Sequence, residues 1–265
     1  MELACGLGDM LETIASLHSN TTALKQRVTL VLPNRAYAAL GPLLTENQRS
    51  HQLAWVKCSD KKRNDRGKDL VELPMAVFKA ALEQTKQVTR PEKVHLANLK
   101  AAHAPTLLCC WKARVATLDP EEKLWAHLRG LNMTSIVRLY RELMPIAQQH
   151  GIQVVDITRY RDHEARELFH RHPSGLSLAA NTLRSFVDTA SYFGPNTLVA
   201  SVDTSLVHLA CWCGQKPLML AHRWPDGRWI QGSWQNVDIL EQDNLFDWNA
   251  PIQRLIERIR NHAWY

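Results

Sequence analysis

The residues best placed to do chemistry stand where an apolar run meets a helical one. LVASV, Leu198 to Val202, runs straight into Asp203, Thr204 and Ser205, any of which can cap a helix, and Gly214 closes that helix a few turns later. A helix that starts at the carboxyl end of a central strand presents unbonded N–H groups and the positive end of its dipole. A diphosphate arriving there meets donors without needing many basic side chains. His208 lies one turn beyond Thr204 on the same face, where an imidazole can donate to a phosphate oxygen or a ribose hydroxyl. The same spacing fits plain caps at Thr204 and Ser205 with His208 packed beneath them.

Further candidates lie elsewhere along the chain. Gly6, Leu7, Gly8 and Asp9 read as a tight turn entering a helix, with the Asp9 carboxylate stabilised by the helix terminus. That stabilisation weakens a base, so Asp9 serves as a general base only with an acceptor hydroxyl held directly against it. The turn lacks the third glycine of a dinucleotide fingerprint, and a purely structural turn has the same sequence. Lys112 and Arg114 follow TLLCCW, where the crevice of a parallel sheet opens. Both can screen phosphate charge, Arg as a fork and Lys as a point charge, and surface bases without function share the pattern. After PLMLA, the segment from His222 to Trp229 offers Arg223 and Trp224 either for stacking on a base or sugar or for packing within the loop. His163, His170 and His172 have no Cys partner and no Glu at metalloprotease spacing. Their segment reads as a surface or crevice loop, and no metal site is expected.

The elements that must hold these residues alternate between strand and helix. Met10 to about His18 has helical periodicity, Val28 to Leu32 is a strand ended by Pro33, Arg35 to Leu44 is helical, and Leu53 to Val56 is a short strand. ELPMAVFKAALEQT reads as a helix after Pro74, and the weakly patterned stretch between about Thr89 and Pro105 marks a boundary between domains at 1–104 and 105–265. Beyond it, Thr106 to Trp111 is a buried strand and KARVATLDPEEK a polar connection. Ile136, Leu139, Tyr140, Leu143 and Ala147 define a helix from Ser135 to His150, kinked or cut short at Pro145 and stopped by Gly151. Strands at Ile152 to Ile157, Gly175 to Ala180 and Pro217 to Ala221, a helix at Leu183 to Phe193 and a closing amphipathic helix at Pro251 to Arg260 complete an α/β pattern.

Composition narrows the class. Apolar residues at 45% and charged residues at 22%, with 11 Gly and 12 Pro, describe an ordinary globular chain and exclude a fibrous or disordered one. Six cysteines without a C-x-x-C pair point to a reducing compartment and to buried structural thiols. No apolar run reaches the roughly 20 residues of a membrane span, and MELACGLGD has no basic segment of a signal peptide. A cytoplasmic location is expected, with any membrane contact peripheral. The formal charge of +6 suits an anionic ligand or an anionic membrane surface without choosing between them. The basic run from Lys57 to Lys68 holds no aromatic residue and is interleaved with Asp, so it reads as a solvated loop and no nucleic-acid partner is expected.

Four segments in order, CGLGDMLETIASL, LVELPMAVF, LLCCWKAR and VDTASYFGPNTLVASVDTSLVHLACWCGQKPLMLAHRWPDGRW, resemble the ADP-heptose:lipopolysaccharide heptosyltransferase superfamily and its tetratricopeptide-associated relatives. The resemblance implies an α/β chain of two Rossmann-like domains facing a cleft, of the GT-B type, with the N-terminal domain reduced. It implies transfer of a sugar from a nucleotide-sugar donor to a polar acceptor, whether glycan, lipid-linked or protein, without metal or cofactor. Asp9 matches the superfamily's general base, Lys112 a basic residue near the donor phosphates, and Asp203, Thr204 and His208 the segment lining the diphosphate. The helix dipole and basic side chains then stabilise the leaving nucleoside diphosphate. The chain departs from the pattern in its small N-terminal half and in Cys211, Trp212 and Cys213, which stand where the superfamily has small residues. Those departures support a second class of reading: a catalytically reduced domain that binds a nucleotide or a partner without transfer.

Overall fold

The computed structural model describes residues 11, 14, 28–33, 38–40, 42, 53–58, 104–113, 120–171, 175–225, 229, 234 and 236–264. Gly6, Gly8, Asp9, Arg114 and His172, the predicted helix after Pro74, nearly all of the basic run and most of the domain boundary lie outside them. In the N-terminal part, β1 (Val28–Pro33) and β2 (Leu53–Cys58) pair in parallel, with Val28 opposite Leu53.

The C-terminal part is a six-stranded parallel sheet. Its strands are β3 (Thr106–Cys110), β4 (Gln153–Asp156), β5 (Leu176–Leu178), β6 (Thr197–Val202), β7 (Leu218–Ala221) and β8 (Asp238–Glu241), ordered β5-β4-β3-β6-β7-β8. Counted from β3, that order is the 3-2-1-4-5-6 arrangement of the dinucleotide-binding fold. The helices are α1 (Pro120–Arg129), α2 (Met133–Gln149), α3 (Asp162–Arg171), α4 (Phe186–Ala190), α5 (Ser205–Trp212) and α6 (Asn249–Arg260).

Residues alternate along β3 and β6 between two apolar layers, as the strand period of two requires. Leu107, Cys109, Leu198, Ala200 and Val202 join one layer with Ile136, Leu139 and Leu143 of α2 and Ile252, Leu255 and Ile259 of α6. Leu108 and Val199 join the other with Phe186 of α4 and with Leu206, Leu209 and Trp212 of α5; Leu11, Ile14 and Leu40 belong to this second cluster. The described residues thus build one Rossmann-like unit and a two-stranded pair, rather than two full domains. Among them no helix is long and apolar enough to cross a membrane.

Three local expectations need correcting. The helix expected to kink or be cut short at Pro145 is not cut short there but continues to Gln149. The lost backbone bond is outweighed by six buried side chains on one face, from Ile136 to Ala147. Gly151, at φ 63°, supplies the left-handed turn after it. The segment read as a loop after Thr158 contains α3, which buries only Leu168 but carries Asp162 and Glu164 in its first turn and His170 and Arg171 in its last, complementing the helix dipole. The expected helix from Leu183 to Phe193 shrinks to α4, fixed by a capping box between Ser185 and Asp188.

Candidate functional site

The sheet order reverses between β3 and β6, and ligands of open α/β sheets bind outside the carboxyl ends of strands at such a point. In this sheet Cys110 lies in register with Ser201, so the chain leaves β3 through Trp111 and Lys112 beside the exit of β6 through Asp203 and Thr204. Ser201 Oγ lies 2.9 Å from the Cys110 carbonyl oxygen and 2.8 Å from Thr204 Oγ1, tying the two exits together. Thr204 is the N-cap of α5, and its hydroxyl accepts from the Leu206 N–H at 3.3 Å. The Ser205 N–H, first of the helix, belongs to the set that the helix itself cannot bond.

Among the described residues, Lys112 and Arg129 beside this crevice are paired with carboxylates. Lys112 Nζ sits 2.6 Å from Glu164 Oε1 and 5.4 Å from the centre of the Tyr160 ring. Burial raises the Glu164 pKa, but hydrogen bonds from Lys112 and the Arg161 N–H together with the Lys112 charge outweigh it and hold the carboxyl below its ordinary value. Asp203 is buried, and its Oδ2 lies 3.5 Å from Arg129 Nη1 at the end of α1.

His208 is 2% exposed. Its Nδ1 accepts from Trp234 Nε1 at 2.9 Å, and its ring lies 4.5 Å from that of Trp229. Accepting an indole N–H leaves Nδ1 unprotonated, so the neutral ring carries its proton on Nε2. Arg223 and Trp224 stand apart, past the end of β7. Arg223 Nη1 donates to the Asp243 carbonyl at 2.9 Å, and Trp224 is 66% exposed.

Beneath the β3–β4 edge lies a polar network not anticipated from the sequence. Asp156, wholly buried at the end of β4, accepts from Tyr140 and Tyr160 hydroxyls at 2.6 Å each and from the Thr158 N–H at 2.7 Å. Trp111 Nε1 donates to Tyr140 Oη at 2.8 Å, and the Trp111 N–H to Thr158 Oγ1 at 2.7 Å. Burial pushes the Asp156 carboxyl up, opposed by these hydrogen bonds. Burial followed by the Asp156 charge pushes the Cys110 thiol up to about 12, with Thr158 and Thr204 among the groups resisting. Cys110 is therefore a thiol, not a nucleophilic thiolate. The signal available in sequence was the pair of Tyr140 on a buried helix face, which needs a partner for its hydroxyl, and an Asp closing an apolar strand.

Two solved structures share this architecture. One is E. coli ADP-heptose LPS heptosyltransferase II, at 13% identity and a TM-score of 0.62, with 97% of this chain and 96% of that chain covered. The other is E. coli heptosyltransferase WaaC with ADP-2-deoxy-2-fluoro heptose, at 12% identity and a TM-score of 0.53, with 97% and 98% covered. The fold resembles that of GT-B glycosyltransferases. At such identities the likeness is one of fold and carries no residue assignments. No family model matches the sequence, and no curated protein sequence matches it.

Proposed function

We propose that the chain is a metal-independent glycosyltransferase that moves a sugar from a nucleotide-sugar donor to a polar acceptor. The donor diphosphate lies against Thr204, Ser205 and the first turn of α5, with Lys112 and Arg114 screening its charge. Asp9, from the 1–104 half, deprotonates the acceptor hydroxyl across a cleft facing the 105–265 half. The observation that carries this reading is a capped helix opening at the β3–β6 reversal, within a fold resembling GT-B glycosyltransferases. Donor hydrogen bonds aimed at a leaving diphosphate lower the barrier without a metal.

The test is thermal unfolding of the full chain with ADP-, GDP-, UDP- and CMP-linked sugars. At a ligand concentration about 100 times Kd, native-state binding adds ~2.7 kcal/mol, a rise of roughly 5–10 °C in Tm. One nucleotide class should stabilise in a concentration-dependent way, and Thr204→Ala should weaken that response. A flat response to all four overturns the proposal.

The pairing of Lys112 and Arg129 with carboxylates of the chain favours a second reading, a domain that binds without transferring. Release of nucleoside diphosphate from the stabilising donor in the presence of glycan acceptors separates the two. The pairing also yields a prediction. Glu164→Gln leaves the Lys112 charge uncompensated, and calorimetric titration with the matching nucleoside diphosphate should show affinity about two- to fivefold tighter, the worth of a partly exposed ion pair. Unchanged or weaker binding would remove Lys112 from the phosphate site.

A further inference from the structure

A second recess opens two strand junctions beyond the β3–β6 crevice, where Arg223 and Trp224 leave β7 and Gln242 and Asp243 leave the neighbouring β8. It is an open groove of about 640 Å³, with Glu241 of β8 and Arg254 of α6 completing the polar wall. The parallel pairing of Ala221 with Glu241 brings these exits together.

The groove's charges cancel within it. Arg223 donates to the Asp243 carbonyl at 2.9 Å, Arg254 Nη1 to Asp243 Oδ1 at 3.2 Å, and Arg254 Nη2 contacts the Glu241 carbonyl. The lining's two guanidinium groups and two carboxylates sum to zero formal charge, with Arg254 ion-paired to Asp243 and Arg223 held by a backbone carbonyl, so the groove carries no net charge to draw an anion. Gln242 is 3% exposed; its Oε1 accepts from the Phe246 N–H at 3.2 Å, while its Nε2 is buried without a hydrogen-bond partner. Buried amides ordinarily satisfy their donors, so a ligand oxygen that reaches this one through a small shift of the groove wall completes its bonding. Beside it Trp224 presents one of the most exposed aromatic surfaces among the described residues. An exposed indole next to planar carboxylate, amide and guanidinium groups of no net charge suits a ligand with an apolar C–H face and a rim of hydroxyls.

We propose that this groove binds a neutral carbohydrate, with a sugar ring resting on Trp224 and its hydroxyls meeting Gln242, Asp243 and Glu241. The site is independent of the donor crevice and holds whether or not the chain catalyses transfer. The test is saturation-transfer NMR and calorimetric titration of the full chain with maltotetraose, cellotetraose and chitotetraose, with inorganic phosphate and ADP as comparison probes. At least one tetrasaccharide should bind, with affinity falling about tenfold in Trp224→Ala, the worth of one aromatic contact. Trp224 is exposed, so that variant should keep the parent's circular dichroism and Tm. Gln242→Glu, which keeps the Phe246 acceptor and removes the amide donor, should also weaken binding. ADP affinity should be the same in both variants as in the parent, whereas Thr204→Ala should alter ADP binding and leave the tetrasaccharide untouched. Absence of binding by all three tetrasaccharides, binding that survives Trp224→Ala, or displacement of the tetrasaccharide by phosphate overturns the proposal.

Discussion

Replacing Asp9 by Asn is expected to lower sugar transfer by about 10²–10⁴-fold, the usual contribution of a general base, while nucleoside diphosphate affinity stays within about twofold. The asymmetry follows from the proposed division of labour. In that proposal the Asp9 carboxylate acts on the acceptor hydroxyl, whereas the diphosphate is met by the α5 terminus and the bases beside it. An amide of the same shape can still accept a hydrogen bond from the hydroxyl but cannot take its proton. Acceptor KM should therefore change less than kcat. The measurement is steady-state transfer with the donor that stabilises the parent chain, alongside calorimetric titration with its nucleoside diphosphate. Turnover at the parent rate would remove Asp9 from the chemistry, and loss of diphosphate binding would assign it to the donor site instead.

What could be read from the sequence divides along the physics of each element. Strands buried on both faces, such as LVASV and TLLCC, are continuous apolar runs and stand within a residue of their expected bounds. The start of α5 was legible because strand, cap and helix follow one another without a gap, and Thr204 proved to be the capping residue. Elements that bury little were not legible. In α1, Leu124 and Trp125 are exposed and Ala126 is buried, reversing the usual apolar signal. In β8, Leu240 is buried while Asp238 and Ile239 are only half covered, so its hydrophobic pattern is short and weak.

The partners of the candidate site were hidden for a different reason. Arg129 reaches Asp203 from a helix more than 70 positions earlier, and Glu164 reaches Lys112 across 52 positions. Such pairings depend on topology, and no local spacing encodes them. The six-strand order places the exits of β3 and β6 side by side, and only then does a lysine after one strand share a crevice with a threonine after the other. His208 shows the converse. Its helical spacing from Thr204 was readable, but its indole neighbours are Trp229, at the end of a segment read for stacking or packing by Arg223 and Trp224, and Trp234 beyond it, and nothing in that segment pointed to His208.

Asp156→Ala is expected to destabilise the chain by about 3 kcal/mol, roughly 6–12 °C in Tm for a chain of this size. The substitution strands the hydroxyls of Tyr140 and Tyr160 and the N–H of Thr158, each bonded to the carboxylate within 2.7 Å. Each stranded donor costs about 1–3 kcal/mol, but Tyr140 keeps Cys109 Sγ at 3.5 Å as a weak alternative acceptor, which holds the sum below three full penalties. Asp156→Asn should cost less, because one oxygen remains and the phenol hydroxyls can rotate to accept. The two variants also separate charge from hydrogen bonding. Because burial raises the folded-state pKa of Asp156, its ionised form carries a cost above that pKa, and the cost is relieved as pH falls through it towards the unfolded value. Asp156→Asn has no such titration, so its stability deficit against the parent should widen as pH is lowered from neutral into the mildly acidic range. Urea unfolding at both ends of that range measures it, and a deficit that narrows on acidification would contradict a raised Asp156. Because the network fixes the Trp111 N–H through Thr158, one residue before Lys112, Asp156→Ala should also weaken nucleoside diphosphate binding at temperatures where the variant remains folded. Undiminished binding would make the network a support for the sheet alone, with no part in holding the crevice.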